Sequence, residues 1–255
     1  MSTDTTAVKD DPAEEPTPLR KLLAGIERAR RLATLTLVFF VAGTGVSWLL
    51  SQRAFDLLAL PLTRELAARG QDPRLVFTGL TDPFILYFSV SLFGGLLIAS
   101  PLIAAMIFVA LSGHLRGTTL GRAVAFIVTG NLLGAAGLAF AYFVLIPFAV
   151  AYLLDVGAAF ETAVTVREFL KFTLRLMVAM AAAAQLPLVS FTAARFGLVT
   201  GWTMWRMLRY AVLMAFLLGA WLTPPDVISQ MLVAGPLIVL YLVGVLVAAL
   251  ASRGR

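Results

Sequence analysis

The sequence predicts an all-α integral membrane protein with six transmembrane helices, both termini in the cytoplasm and its last two helices short. Three observations carry that reading. Of 255 residues, 60% are hydrophobic and only 13% charged, about half the charged share of an ordinary soluble domain. The apolar residues fall in long charge-free runs. The 20 lysines and arginines cluster between those runs. Such clusters set orientation in a bilayer rather than bind a polyanion, so the net charge of +6 does not point to nucleic acid.

In chain order, residues 1–19 carry Asp4, Asp10, Asp11, Glu14 and Glu15 against a single Lys9, with prolines at 12, 16 and 18. A basic start followed at once by an apolar stretch is missing, so this segment reads as a solvated, disordered cytoplasmic tail and not a secretory signal peptide. Residues 20–252 then form one transmembrane domain, and 253–255 are a cytoplasmic C-terminus. The charge-free runs are 32–52, 83–113, 123–154, 176–194, 210–225 and 227–252, taking His114 as a break. About 20 apolar residues cross the hydrocarbon core as a helix, which places spans at 32–52, 84–111, 123–152, 174–194, 210–222 and 228–250. The fifth is cut short by Thr223-Pro224-Pro225-Asp226. It forms either one of two short spans joined by a tight outer turn, the arrangement favoured, or half of a re-entrant hairpin. With the N-terminus inside, 13 basic residues lie on inner segments and 7 on outer ones, which sets both ends in the cytoplasm.

Pro101, Pro147, Pro187 and Pro236 each lie inside an apolar run and should kink or end a helix. Between the first two spans, Leu57, Leu58, Leu60, Leu62 and Leu66 alternate with Arg64, Glu65 and Arg69. That is an amphipathic outer helix, lying either on the membrane surface or as a cap over the bundle.

Polar side chains at membrane depth are costly and are therefore the candidates for function. Asn131 and Gln185 suit interhelical hydrogen bonds, Gln185 beside the carbonyls that Pro187 frees. Thr223, Asp226 and Gln230 gather at the outer end of the last two spans, where Asp226 either caps a helix start or contacts a partner. On the inner side Glu27 lies among Arg28, Arg30 and Arg31, where it either pairs locally or offers an acidic contact to a basic peptide. Catalysis is not expected. Cysteine is absent, histidine occurs once, and no HExxH, nucleotide-binding glycine loop or paired intramembrane aspartate is present. No metal or cofactor is expected.

Two stretches carry a resemblance. Phe140-Ala141-Tyr142-Phe143 running on to Pro147, and Leu222-Thr223-Pro224-Pro225-Asp226-Val227 with Gln230, resemble the TatC family, the multispanning core and receptor subunit of the twin-arginine protein translocase. Pro61-Leu62, Asp82-Pro83-Phe84 and Ser100-Pro101 fall in the matching order, so the likeness covers roughly residues 22–252. It implies a cytoplasmic-membrane, multi-pass subunit that binds twin-arginine signal peptides of folded precursors. It also implies assembly with single-span TatA/TatB-type subunits in a homo- or hetero-oligomer, and transport driven by the proton gradient. Glu27 and Arg31 resemble the acidic and basic residues of the family's N-terminal motif, while Ala24 and Ala29 replace its usual His and Arg. Thr223, Asp226 and Gln230, with Gln185, fall at partner-helix positions. Two acids are replaced: Thr119 stands at the glutamate of the first inner loop, and Gln185 at the buried glutamate of the fourth span. Carboxylates hold guanidinium groups through bidentate, charge-assisted bonds, so the expectation is a divergent member with altered signal binding. The alternative is a small-solute permease or membrane assembly factor of the same architecture, which internal repeats and polar broken helices would favour.

Overall fold

A computed structural model of the chain describes residues 18–71, 76–77, 79–112, 120–157, 164–224 and 226–252. These form helices α1 (Pro18–Leu49), α2 (Ser51–Ala68), α3 (Asp82–Ser112), α4 (Leu120–Phe140), α5 (Ile146–Val156), α6 (Val166–Ala183), α7 (Leu186–Arg195), α8 (Gly201–Arg206), α9 (Leu208–Leu222) and α10 (Val227–Ser252). Among the described residues, five helical segments are long and apolar enough to cross a membrane: Arg30–Leu49, Asp82–Val109, Leu120–Val156, Val166–Arg195 and Val227–Ser252. Leu208–Leu222 is apolar and shorter. Of the pair expected to be short, α9 has 15 residues and α10 has 26. No charge interrupts 227–252, and α10 packs along α7, where Gly244 meets the Ser190 side chain.

The prolines act in three ways, each traceable to the missing N–H and the ring's clash with the carbonyl four residues back. Pro187 would clash with Ala183, and there α6 stops; the chain turns through Ala184 and Gln185 before α7 begins. Ahead of Pro147 the ladder widens instead. Across Ala141–Leu145 the turn is π-helical, and the Ile146 amide donates to the Ala141 carbonyl, joining α4 to α5 without a break. At Pro101 the helix continues. The Leu97 carbonyl that Pro101 leaves without an amide lies 2.8 Å from the Ser100 hydroxyl.

The amphipathic segment after the first span is a cap, not a free surface helix. α2 buries Leu58, Ala59, Pro61, Leu62 and Leu66 against α3 and α5. The π-helical turn presents the Tyr142 hydroxyl, which donates to the Leu57 carbonyl at 2.6 Å. Arg69 closes the other end, donating to Asp155 and to the Ala151 carbonyl. Val76 pairs with Thr165 as a short parallel bridge. Asp82, 3% exposed, accepts from the Gly79 amide at 2.8 Å and from Arg167 at 2.6 Å.

Packing is uneven across the membrane. The main core, including Leu62, Leu66, Leu145, Ile146, Leu176 and Met180, fills the outer half. A smaller cluster of Ala194, Met204, Val245, Ala248 and Ala251 lies at the inner end. Small residues let helices approach where no hydrophobic effect drives them together. A Cβ on Gly95 would fall 2.9 Å from the Phe40 carbonyl of α1, and one on Gly137 would fall 2.5 Å from the Met180 carbonyl of α6.

Candidate functional site

The sequence candidates separate into three places. Glu27 and Arg31 lie on the inner extension of α1, and both are exposed. They are one turn apart, four residues along a helix whose membrane part packs on α3 and leaves its other faces to the surroundings. Thr119 lies outside the described residues.

Gln185 occupies the turn between α6 and α7. Its Nε2 donates to the Gly130 carbonyl of α4 at 2.8 Å. A Cβ on Gly134 would stand 3.1 Å from the same nitrogen. The amide therefore binds a neighbouring helix, as expected of a polar group within a span. Gln185→Leu is expected to cost about 1 kcal/mol, read as a lower melting temperature in detergent. Asn131 does comparable work between α3 and α4: its Oδ1 lies 2.7 Å from the Ser100 hydroxyl, while its Nδ2 donates to the Ile127 carbonyl.

The third place is the outer α9–α10 hairpin. The Thr223 hydroxyl donates to the Gly219 carbonyl at 2.8 Å, satisfying a terminal acceptor of α9. Gln230 Nε2 reaches across to the Phe216 carbonyl at 2.7 Å. Asp226 accepts from the Ser229 amide at 2.8 Å and, closely, from the Ser229 hydroxyl, so it caps α10 three residues ahead. Those donors hold the carboxyl below its ordinary value of 3.8, with a smaller contribution from the Tyr152 hydroxyl. Sequence reasoning missed Tyr152, because only folding brings α5 to this hairpin.

A lowered carboxylate pKa means that the cap stabilises above the ordinary aspartate value and weakens as pH falls through the depressed one. Asp226→Ala should therefore lower the melting temperature at neutral pH. It should also remove a part of the acid sensitivity below pH 3.8, which a melting series against pH would read.

The structure thus joins Thr223, Asp226 and Gln230 and sends Gln185 elsewhere, to α4. Among the described residues no group of three His, Cys, Asp or Glu side chains could hold a metal ion.

Comparison with known proteins agrees with this architecture. The family described as "Sec-independent protein translocase protein (TatC)" matches residues 26–236. The chain is 29% identical to a Sec-independent protein translocase protein TatC of Koribacter versatilis (strain Ellin345), over 89% of this chain and 84% of that one. It is 27% identical to the protein of the same name from Aquifex aeolicus (strain VF5), over 87% and 91%. A crystal structure titled as the twin arginine translocase receptor TatC superposes with a TM-score of 0.80 at 26% identity, covering 90% of this chain and all of the other. With a family match that contains the first five membrane-spanning segments and part of the sixth, and a fold shared along nearly its whole length, the chain belongs to the TatC family.

Proposed function

We propose that this chain is the core subunit of a twin-arginine translocase in a prokaryotic cytoplasmic membrane, receiving the signal peptides of folded precursors at the inner end of α1. The observation that carries this reading is the shared fold over 90% of the chain with a translocase receptor. The family comprises translocase components rather than enzymes, and its name implies a complex with other Tat subunits. α9 crosses fully as a short span between Arg209 and the outer hairpin. The exposed Glu27 offers an acceptor for a guanidinium, and Arg31 a countercharge for an acid in the same peptide. The outer α9–α10 hairpin is the docking edge for a single-span TatA/TatB-type subunit, with Thr223, Asp226 and Gln230 shaping that edge and Gln185 bracing the helices behind it. Transport draws on the proton gradient.

With a threonine at 119 and an amide at 185, the carboxylate set for two arginines is reduced, and signal recognition is weakened or altered. The test is complementation of a strain lacking its own core subunit, scored by export of a folded twin-arginine reporter. Export is expected, and its complete absence with the protein correctly inserted overturns the reading. Site-specific crosslinking of a precursor to positions near Glu27 and Thr119, with both of those residues left in place, tests the recognition surface. Glu27→Ala should cut the crosslink about tenfold, the loss of one charge-assisted bond. Contact as strong as in an ordinary family member would sink the idea of weakened recognition.

A further inference from the structure

The inner half of the bundle holds a cavity of about 700 Å³ between the inner ends of α3, α4, α7 and α10. We propose that it is a binding site for one anionic phospholipid of the cytoplasmic leaflet. Its phosphate would lie between Arg122 and Arg195, and an acyl chain would run inward along the cavity.

The argument begins with polarity. α4 enters the membrane from the cytoplasm and α7 returns to it, so Arg122 near the start of one and Arg195 at the end of the other both stand at the inner mouth. Both line the cavity. The Arg195 guanidinium lies over the Phe191 ring at 5.4 Å, which keeps its stem on the wall and its charge at the rim. Deeper in, the lining turns apolar through Phe126, Leu133, Pro187 and Leu188. Phe108 of α3 and Phe126 of α4 form one wall, with ring centres 5.5 Å apart. Thr192 adds no free donor, because its hydroxyl already serves the Leu188 and Val189 carbonyls. A cationic mouth over an apolar shaft at the cytoplasmic ends of membrane helices is what an anionic headgroup and its chain require.

Charge decides between an anionic lipid and a basic peptide: the two arginines in the lining suit a phosphate, and the apolar residues behind them suit its acyl chain. This assignment stands on the cavity alone and does not depend on the translocase reading.

The test uses the full chain in phosphatidylcholine nanodiscs doped with photoactivatable phosphatidylglycerol, with labelled peptides mapped by mass spectrometry. Labelling is expected on the α4 and α7 segments that line the cavity, and a photoactivatable phosphatidylcholine should label them about tenfold less. Arg122→Gln with Arg195→Gln should lower the phosphatidylglycerol label by about tenfold, while Arg195→Lys with Arg122 intact should keep most of it. Leu188→Trp fills the shaft without touching the charges and should also displace the label. Equal labelling by the two lipids, or labelling indifferent to both kinds of variant, overturns the proposal. So does full displacement by excess inorganic phosphate, which marks a simple anion site, or by a soluble twin-arginine signal peptide, which marks a peptide groove.

Discussion

Replacing Asp82 by alanine is expected to destabilise the folded protein by about 3 kcal/mol, since it removes a charge-assisted hydrogen bond from Arg167 and the acceptor of the Gly79 amide. The carboxylate is 3% exposed and sits where α3 begins, facing the first turn of α6. Its bond to Arg167 is 2.6 Å, and its bond to the Gly79 amide is 2.8 Å. The two partners are not equivalent. Arg167 keeps 42% of its side-chain surface exposed, so once Asp82 is gone the guanidinium returns to water at little cost. Arg167→Ala added to Asp82→Ala should therefore cost less than about 0.5 kcal/mol more, where independent losses would add in full. Equilibrium unfolding of the single and double variants in detergent measures both numbers. A single-variant loss under about 1 kcal/mol would mean that the buried carboxylate and its partners do not hold the outer rim together.

Gly137→Leu should have an effect at least as large, from overpacking rather than lost bonding. Gly137 lies at the crossing of α4 with α6. A Cβ there would meet the Met180 carbonyl at 2.5 Å and the Ala184 Cβ at 2.8 Å. One obstacle is backbone, which does not swing aside as a side-chain tip would, so the helices must separate. Overpacking of this kind costs about 3 kcal/mol. Separation would also draw Gly130 away from the Gln185 amide, opening the same interface at its second contact. Gly137→Ala carries the same Cβ and should retain most of the penalty, whereas Gly45→Ala, with nothing within 4 Å, should be close to neutral. Thermal melting of the three variants orders them. A Gly137→Ala protein as stable as the parent would show that α4 and α6 have slack at this crossing.

Much of the membrane architecture was legible in advance because it follows from local quantities. The length of an apolar run is set against the thickness of the hydrocarbon core, and arginine bias against translocation. Both act on a segment wherever its neighbours are. The shortness of α9 was legible for the same reason, since Thr223-Pro224 ends any helix that reaches it. The extent of α10 was legible too, since the charge-free run 227–252 is the helix itself; the expectation that it would be short like α9 was the part that failed.

The candidate residues divide along the same line. Asp226 as a helix cap could be read from its place ahead of α10, because capping is a matter of three residues. Whether Gln185 faced α4 or the outer hairpin depended on how the chain turns at Ala184, and that on Pro187 and the close approach at Gly137. Pro147 and Pro187 looked alike in sequence. One widens its helix and the other divides it.

By itself, then, the sequence determined an all-α membrane protein with its apolar runs and the motifs that resemble its family, and it set the expectation of both ends inside. Each follows from transfer of short segments between water and lipid, or from residue identity at fixed spacing. Only the tertiary structure decided that α2 is a cap, that Asp82 and Arg167 join the outer rim, that Gln185 belongs to α4, and that Arg122 and Arg195 share the mouth of one cavity. Each of those pairs residues far apart in the chain, and the free energy that joins them exists only once the helices have packed.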